Sequence, residues 1–126
     1  MRLHYFVYIF SILIITNSCD DNCEGIENAL VYEVDGPTQG IVNQSIDLTI
    51  SFSAKNGCGS YYGMSDNKNA NNIEVQVKLK YSGCLCTDAL VGFEKEYYFL
   101  ASKPGTYTIV FKNDYLDDIS HTIIIQ

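Results

Sequence analysis

Few side chains in this 126-residue chain could do chemistry. Foremost are five cysteines: Cys19, Cys23, Cys58, Cys84 and Cys86. A cysteine sulfur can bridge to another cysteine, ligate a soft metal or act as a nucleophile. Cys84-Leu85-Cys86 is a Cys-x-Cys, a spacing known among soft-metal ligands, and Cys58 could add a third sulfur. Copper or zinc carriage is therefore one reading of the chain. His121 is the only histidine beyond the N-terminal segment, which makes Ser-His or Cys-His catalysis a poor fit. It alternates with Ile123 and Ile125, as a strand residue would. Asp114, Asp117 and Asp118 fall in one turn without EF-hand spacing and read as solvated turn acids. Glu94 and Glu96 lie near one strand start, without the facing geometry of a glycosidase pair. The sequence has no Gly-rich phosphate loop. The expectation is a protein that is not an enzyme and carries no cofactor.

Oxidation state depends on compartment, and the N-terminus speaks to that. In "MRLHYFVYIFSILIITNSC", Arg2 supplies a positive n-region and Tyr5 to Ile15 is apolar apart from Ser11. This fits a secretory signal, and it falls short of the roughly 20 apolar residues a membrane span needs. Ser18 is the small residue a cut site wants. The arrangement resembles a bacterial lipoprotein signal, in which the cysteine after the cut is acylated and becomes residue one; Cys19 is the matching position. Thr16 and Asn17 stand where a stricter lipobox has Leu and a small residue. The looser Ser-Cys ending resembles lipoproteins of the Bacteroidota type, in which an acidic pair such as Asp20-Asp21 looks like a surface-export signal. The resemblance implies a signal peptide over residues 1–18, a lipidated tether over 19–27 and a domain over 28–126. It implies residence at the outer membrane or cell surface, held by lipid without spanning.

Composition agrees with export. Five cysteines in a short secreted chain point to an oxidising compartment. Acylation of Cys19 would leave four, an even number suited to disulfides among Cys23, Cys58, Cys84 and Cys86. Beyond residue 18 lie 108 residues, one domain with length enough for a core. The full chain carries a formal charge of −7, and loss of Arg2 takes it to −8. Such a surface repels phosphate backbones, so no nucleic-acid partner is expected.

The elements that must hold these groups read as strands. "SIDLTISFSA" alternates without error, with Ile46, Leu48, Ile50, Phe52 and Ala54 on one face. "IEVQVKLKY" places Ile73, Val75, Val77, Leu79 and Tyr81 inward, and "GTYTIVFK" places Tyr107, Ile109 and Phe111 together. Weaker candidates lie at residues 29–34, 60–64, 89–93, 96–101 and 121–125. Turn signals separate them, among them "DGPTQG", "SDNKNANN" and "SKPG". No stretch keeps a helical period over ten residues. Half-buried strands of this kind predict an all-β antiparallel sandwich of about seven to eight strands. The segment "YYFLASKPGTYTIVFKNDYLDDISHTIIIQ" resembles the C-terminal half of bacterial immunoglobulin-like domains. That resemblance implies an Ig-like sandwich with Tyr107 as a corner tyrosine, its hydroxyl returning to the backbone. Pro-Gly-Thr-Tyr also occurs in cupredoxins, but blue copper needs two histidines and a cysteine, and His121 stands alone.

Strand directions carry Cys23, Cys58, Cys84 and Cys86 to one end of such a sandwich. Cys84 and Cys86 would be strained if joined to each other. Cys58 is therefore expected to take one of them and Cys23 the other. Ten tyrosines, eight of them after Cys19, include the adjacent pairs Tyr61-Tyr62 and Tyr97-Tyr98. One member of each pair must face outward from a strand. Outward tyrosines beside the Asn-rich stretch 66–72 form a candidate binding patch for a protein or glycan. The sequence thus predicts a membrane-anchored binding or structural module. Two alternatives are a soft-metal carrier and an inhibitor that docks by strand addition.

Overall fold

A computed structural model describes residues 23–126; residues 1–18, expected to be a signal peptide, the candidate acylation site Cys19 and Asp20-Asp21 lie outside the described residues. The described chain forms nine strands and no helix: β1 (Gly25–Asn28), β2 (Leu30–Asp35), β3 (Gln39–Gly40), β4 (Ile46–Ala54), β5 (Gly59–Asn69), β6 (Asn72–Tyr81), β7 (Val91–Phe99), β8 (Gly105–Phe111) and β9 (Ile119–Ile125). They make a two-sheet β-sandwich. One sheet runs β1-β6-β8-β9-β3, with β5 on the other side of β6, and the facing sheet runs β2-β4-β7.

Period-two alternation explains the core. The five apolar residues of β4 that share a face, Ile46 to Ala54, are all buried, as are Ile73, Val75, Val77, Leu79 and Tyr81 of β6. Phe52, Phe99 and Phe111 fill the space between the sheets. Ser51 and Ser53, on the other face of β4, are buried too. β4 is the central strand of its sheet, and Tyr32 of β2 reaches across it far enough that a Cβ added to Gly92 on β7 would meet its hydroxyl at 3.9 Å.

Five of the seven strand pairings are antiparallel. The other two, β6 with β8 and β3 with β9, are parallel, which alternation alone does not predict. The cause is topological. β7 lies between β6 and β8 in the chain but in the opposite sheet, so β6 and β8 must run the same way. β6 divides one edge between two partners: Lys78 to Tyr81 pair with β1, and Asn72 to Val75 pair with β8.

Where β1 gives way to β2 the chain crosses between the sheets, and Asn113 fills the gap. Its side chain accepts from Val31 N–H and donates to Val31 O, both at 2.9 Å, so it replaces a missing strand partner. β1 occupies part of the stretch expected to be tether: ordered pairing starts at Gly25, not at residue 28. The two short strands β1 and β3 account for the excess over seven to eight.

The Asn-rich stretch 66–72 is another difference. Its composition predicts a loop, but pairing continues to Asn69↔Asn72, leaving a two-residue turn. Ala70 holds φ at +52° there, a left-handed conformation usually given to Gly or Asn. Tyr107 takes the corner role: its hydroxyl donates to Lys103 O at 2.8 Å, four residues upstream.

Candidate functional site: a tyrosine cleft and a disulfide-bonded end

β5 and β7 are edge strands of opposite sheets, and a cleft of about 540 Å³ opens between them. Its lining is Tyr61, Met64, Ser65, Asp66, Glu96, Tyr97 and Tyr98. Three of the four tyrosines expected to bind thus come together, Tyr61 joining the adjacent Tyr97 and Tyr98 from far off in sequence. Tyr62 does not join them. It is the extra residue of a bulge between Tyr61, which pairs with Leu79, and Gly63, which pairs with Lys78, and it points to solvent. The bulge resets the alternation so that Tyr61, Met64 and Asp66 all oppose inward residues of β6: Leu79, Val77 and Val75.

Tyr97 is buried and sets the cleft floor. Its ring meets Phe111 edge-on at 5.8 Å, and its hydroxyl donates to Asp66 at 2.8 Å. This bond ties the two sheets together along their open side. Burial first, and then the Asp66 hydrogen bond and charge, push the Tyr97 hydroxyl well above its ordinary value of 10, so it remains a proton donor. Asp66 is an inward-facing charge on an edge strand, a device that discourages edge-to-edge pairing. Tyr61 packs on Phe52 at 5.8 Å and lies under the Lys95 ammonium at 5.0 Å. Glu96 accepts from Thr49 at 3.0 Å. Tyr98 is 66% exposed on the outer rim. The cleft therefore offers aromatic surface, two carboxylates with acceptor capacity to spare and one nearby ammonium. That combination suits hydrogen-bond donors carried on a partly apolar ligand.

Sequence reasoning missed Met64, Ser65, Asp66 and Glu96 as lining. Asp66 keeps the alternation of an inward position once the bulge is counted, but nothing in "SYYGMSD" announces the bulge. Glu94 and Glu96 share one face of β7 and do not oppose each other across a cleft, so they form no catalytic pair.

The four described cysteines meet at one end, as strand directions predicted. Cys23 is bonded to Cys84 and Cys58 to Cys86. Around them Lys55 binds Glu27 at 2.7 Å and lies over Tyr81 at 5.0 Å, and its backbone N–H donates to the Tyr81 hydroxyl at 3.0 Å. Glu27, chiefly through that hydrogen bond, holds the Lys55 ammonium above its usual range. Gly59 permits the close approach here, since a Cβ would stand 2.9 Å from the Tyr81 ring.

The remaining candidates have structural partners. Asp114 accepts from Asn28, and Asp118 from Lys112 and the Asn113 N–H. His121 Nε2 lies 2.9 Å from Pro37 O. No cluster of three or more metal-ligating side chains occurs among the described residues.

A family model for the ORF11 beta-sandwich domain matches residues 48–123, well over half of the chain. The chain belongs to the ORF11 beta-sandwich domain family. No curated protein and no solved structure matches it. The family match takes in both walls of the cleft and Cys58, Cys84 and Cys86. The N-terminal strands β1 to β3 and Cys23 precede it, so the Cys23–Cys84 bond fastens that arm to the ORF11 beta-sandwich domain.

Proposed function

We propose that this ORF11 beta-sandwich protein is a lipid-anchored extracytoplasmic binding module of a bacterial outer membrane, and that its ligand enters the cleft between β5 and β7. The observation that carries the reading is the pairing of Cys23, Cys58, Cys84 and Cys86 into two disulfides. Such pairing belongs to an oxidising compartment and leaves Cys19 as the cysteine for acylation. It also weighs against soft-metal carriage, because a bonded sulfur is no thiolate ligand. The signal-like residues 1–18 supply the export route. Cys19→Ala is expected to move the protein from the detergent phase to the aqueous phase without unfolding it; partitioning unchanged by the substitution would refute the anchor.

The cleft chemistry favours a glycan. Tyr61 and Tyr98 can take the apolar faces of sugar rings, while Asp66 and Glu96 accept from hydroxyls. A panel of soluble oligosaccharides titrated onto wild type and Tyr98→Ala tests this. Binding lost on Tyr98→Ala supports the cleft; equal binding by both proteins places the ligand elsewhere. Strand addition at β5 finds less support, since that strand carries both a bulge and an inward carboxylate along its free edge.

A further inference from the structure

Leu85 stands between the two disulfides and is 99% exposed. It does not occupy a loose tip. Both flanking residues are bonded, and the surrounding loop is pinned to the turn after β4 by Gly57 N–H to Thr87 O at 3.0 Å and Ser82 N–H to Cys58 O at 3.3 Å. The fold thus holds an aliphatic side chain rigidly outward at one end of the sandwich. Ile26 and Leu90, 53% and 67% exposed, are carried to the same end by β1 and by the start of β7.

The chain length to Cys19 limits how this end can be oriented. Three residues separate Cys19 from Cys23, and the four steps between them span at most about 14 Å. Cys23 and Cys84 have Cα atoms 5.1 Å apart. One further residue reaches Leu85, so its Cα lies within about 23 Å of Cys19. The eleven residues of β5 extend about 36 Å. A tether this short brings the disulfide-bonded end, and not the far end, to the surface that holds the acyl chains.

We propose that this end is a membrane seat: Leu85, supported by Ile26 and Leu90, inserts into the interfacial layer of the bilayer that carries the anchor. The proposal rests on acylation of Cys19. Glu24, Glu27 and Asp88 outnumber Lys55 and Lys80, which pairs with Ile26, at this end, so attraction to anionic headgroups does not hold it, and the contact is apolar and is not weakened by salt. Seated this way, the protein turns the upper part of its cleft, including Tyr98 opposite Asp47 near the start of β4, away from the membrane.

The chain has no tryptophan, so Leu85→Trp introduces a single indole reporter. The full chain carrying this change, processed in cells, is placed in phosphatidylethanolamine–phosphatidylglycerol vesicles with brominated acyl chains. Tyr98→Trp serves as the control. The expected result is that both proteins float with the vesicles. The Leu85→Trp emission shifts to the blue and falls by at least half, at low and high salt alike, while the Tyr98→Trp emission is unchanged. Flotation with the Leu85→Trp indole as open to iodide as the control overturns the seat and leaves the anchor standing. Failure to float removes the anchor and the seat with it. A blue-shifted indole in the lipid-free Cys19→Ala chain would show that protein covers Leu85, and would also overturn the proposal.

Discussion

Replacing both Cys58 and Cys86 by serine should cost this domain a large part of its stability. The bond spans a sequence separation of 28, and a chain-entropy treatment of a loop that size gives about 3.6 kcal/mol. The Cys23–Cys84 bond spans 61 residues, for which the same treatment gives about 4.3 kcal/mol in isolation. The two loops interleave, so the second closure is shorter than its separation suggests. With Cys58–Cys86 in place, the path from Cys23 to Cys84 runs about 37 residues through the first bridge, and the figure falls to about 3.8 kcal/mol. For a domain near 100 residues each kcal/mol moves Tm by about 4–8 °C, so the Cys58→Ser/Cys86→Ser variant should melt roughly 14–29 °C lower. Differential scanning calorimetry under non-reducing conditions measures this, with reductant added to wild type as the second arm. A variant that melts within about 3 °C of wild type would refute the reasoning, since the bond would then constrain little of the unfolded chain.

Tyr97→Phe removes the inter-sheet hydrogen bond to Asp66, which is exposed enough to rehydrate; a loss of about 1 kcal/mol in urea unfolding is expected, and an unchanged midpoint would count against the bond. Ala70→Gly relieves the left-handed φ of the β5–β6 turn and should stabilise by about 0.5–1 kcal/mol in the same assay, against the entropic penalty glycine brings. Lys112 and the Asn113 N–H hold the Asp118 carboxyl below its ordinary 3.8. A depressed carboxylate stabilises the fold fully above that value and loses its contribution as pH falls through the folded one; because the pair is surface-exposed the slope is small. Asp118→Asn should flatten the acid limb of a melting-temperature profile below pH 3.8, and a profile identical to wild type would remove the pair from the account.

What could be read from the sequence divides along physical lines. Alternation from Ile46 to Ala54 and from Ile73 to Tyr81 names the core, because burial on one face of a strand imposes a period of two whatever the partner. The meeting of the cysteines follows from strand direction alone, and the strain of joining Cys84 to Cys86 narrows the pairing. Which of the two takes Cys23 does not follow, since both sit within one loop. The tyrosine cleft was half legible. Tyr97 and Tyr98 were bound to face opposite ways, but the convergence of Tyr61 with them depends on a sheet edge that only the tertiary arrangement defines. Tyr62 was lost to a bulge, which leaves no mark in residue type. The parallel pairing of β6 and β8 was hidden for the same reason: it depends on which sheet receives β7. β1 was hidden by its composition, because "GIEN" has no alternation to read and owes its order to β6 and to the Cys23–Cys84 bond.

Lipid attachment at Cys19 is decided by intact mass spectrometry, without reduction, of the full chain expressed in a bacterial host and recovered from its membrane fraction. The expected species begins at Cys19, heavier than its residues by covalently bound acyl chains and lighter by the four hydrogens of two disulfides. A chain that begins elsewhere, or an unmodified Cys19, would contradict the lipid anchor.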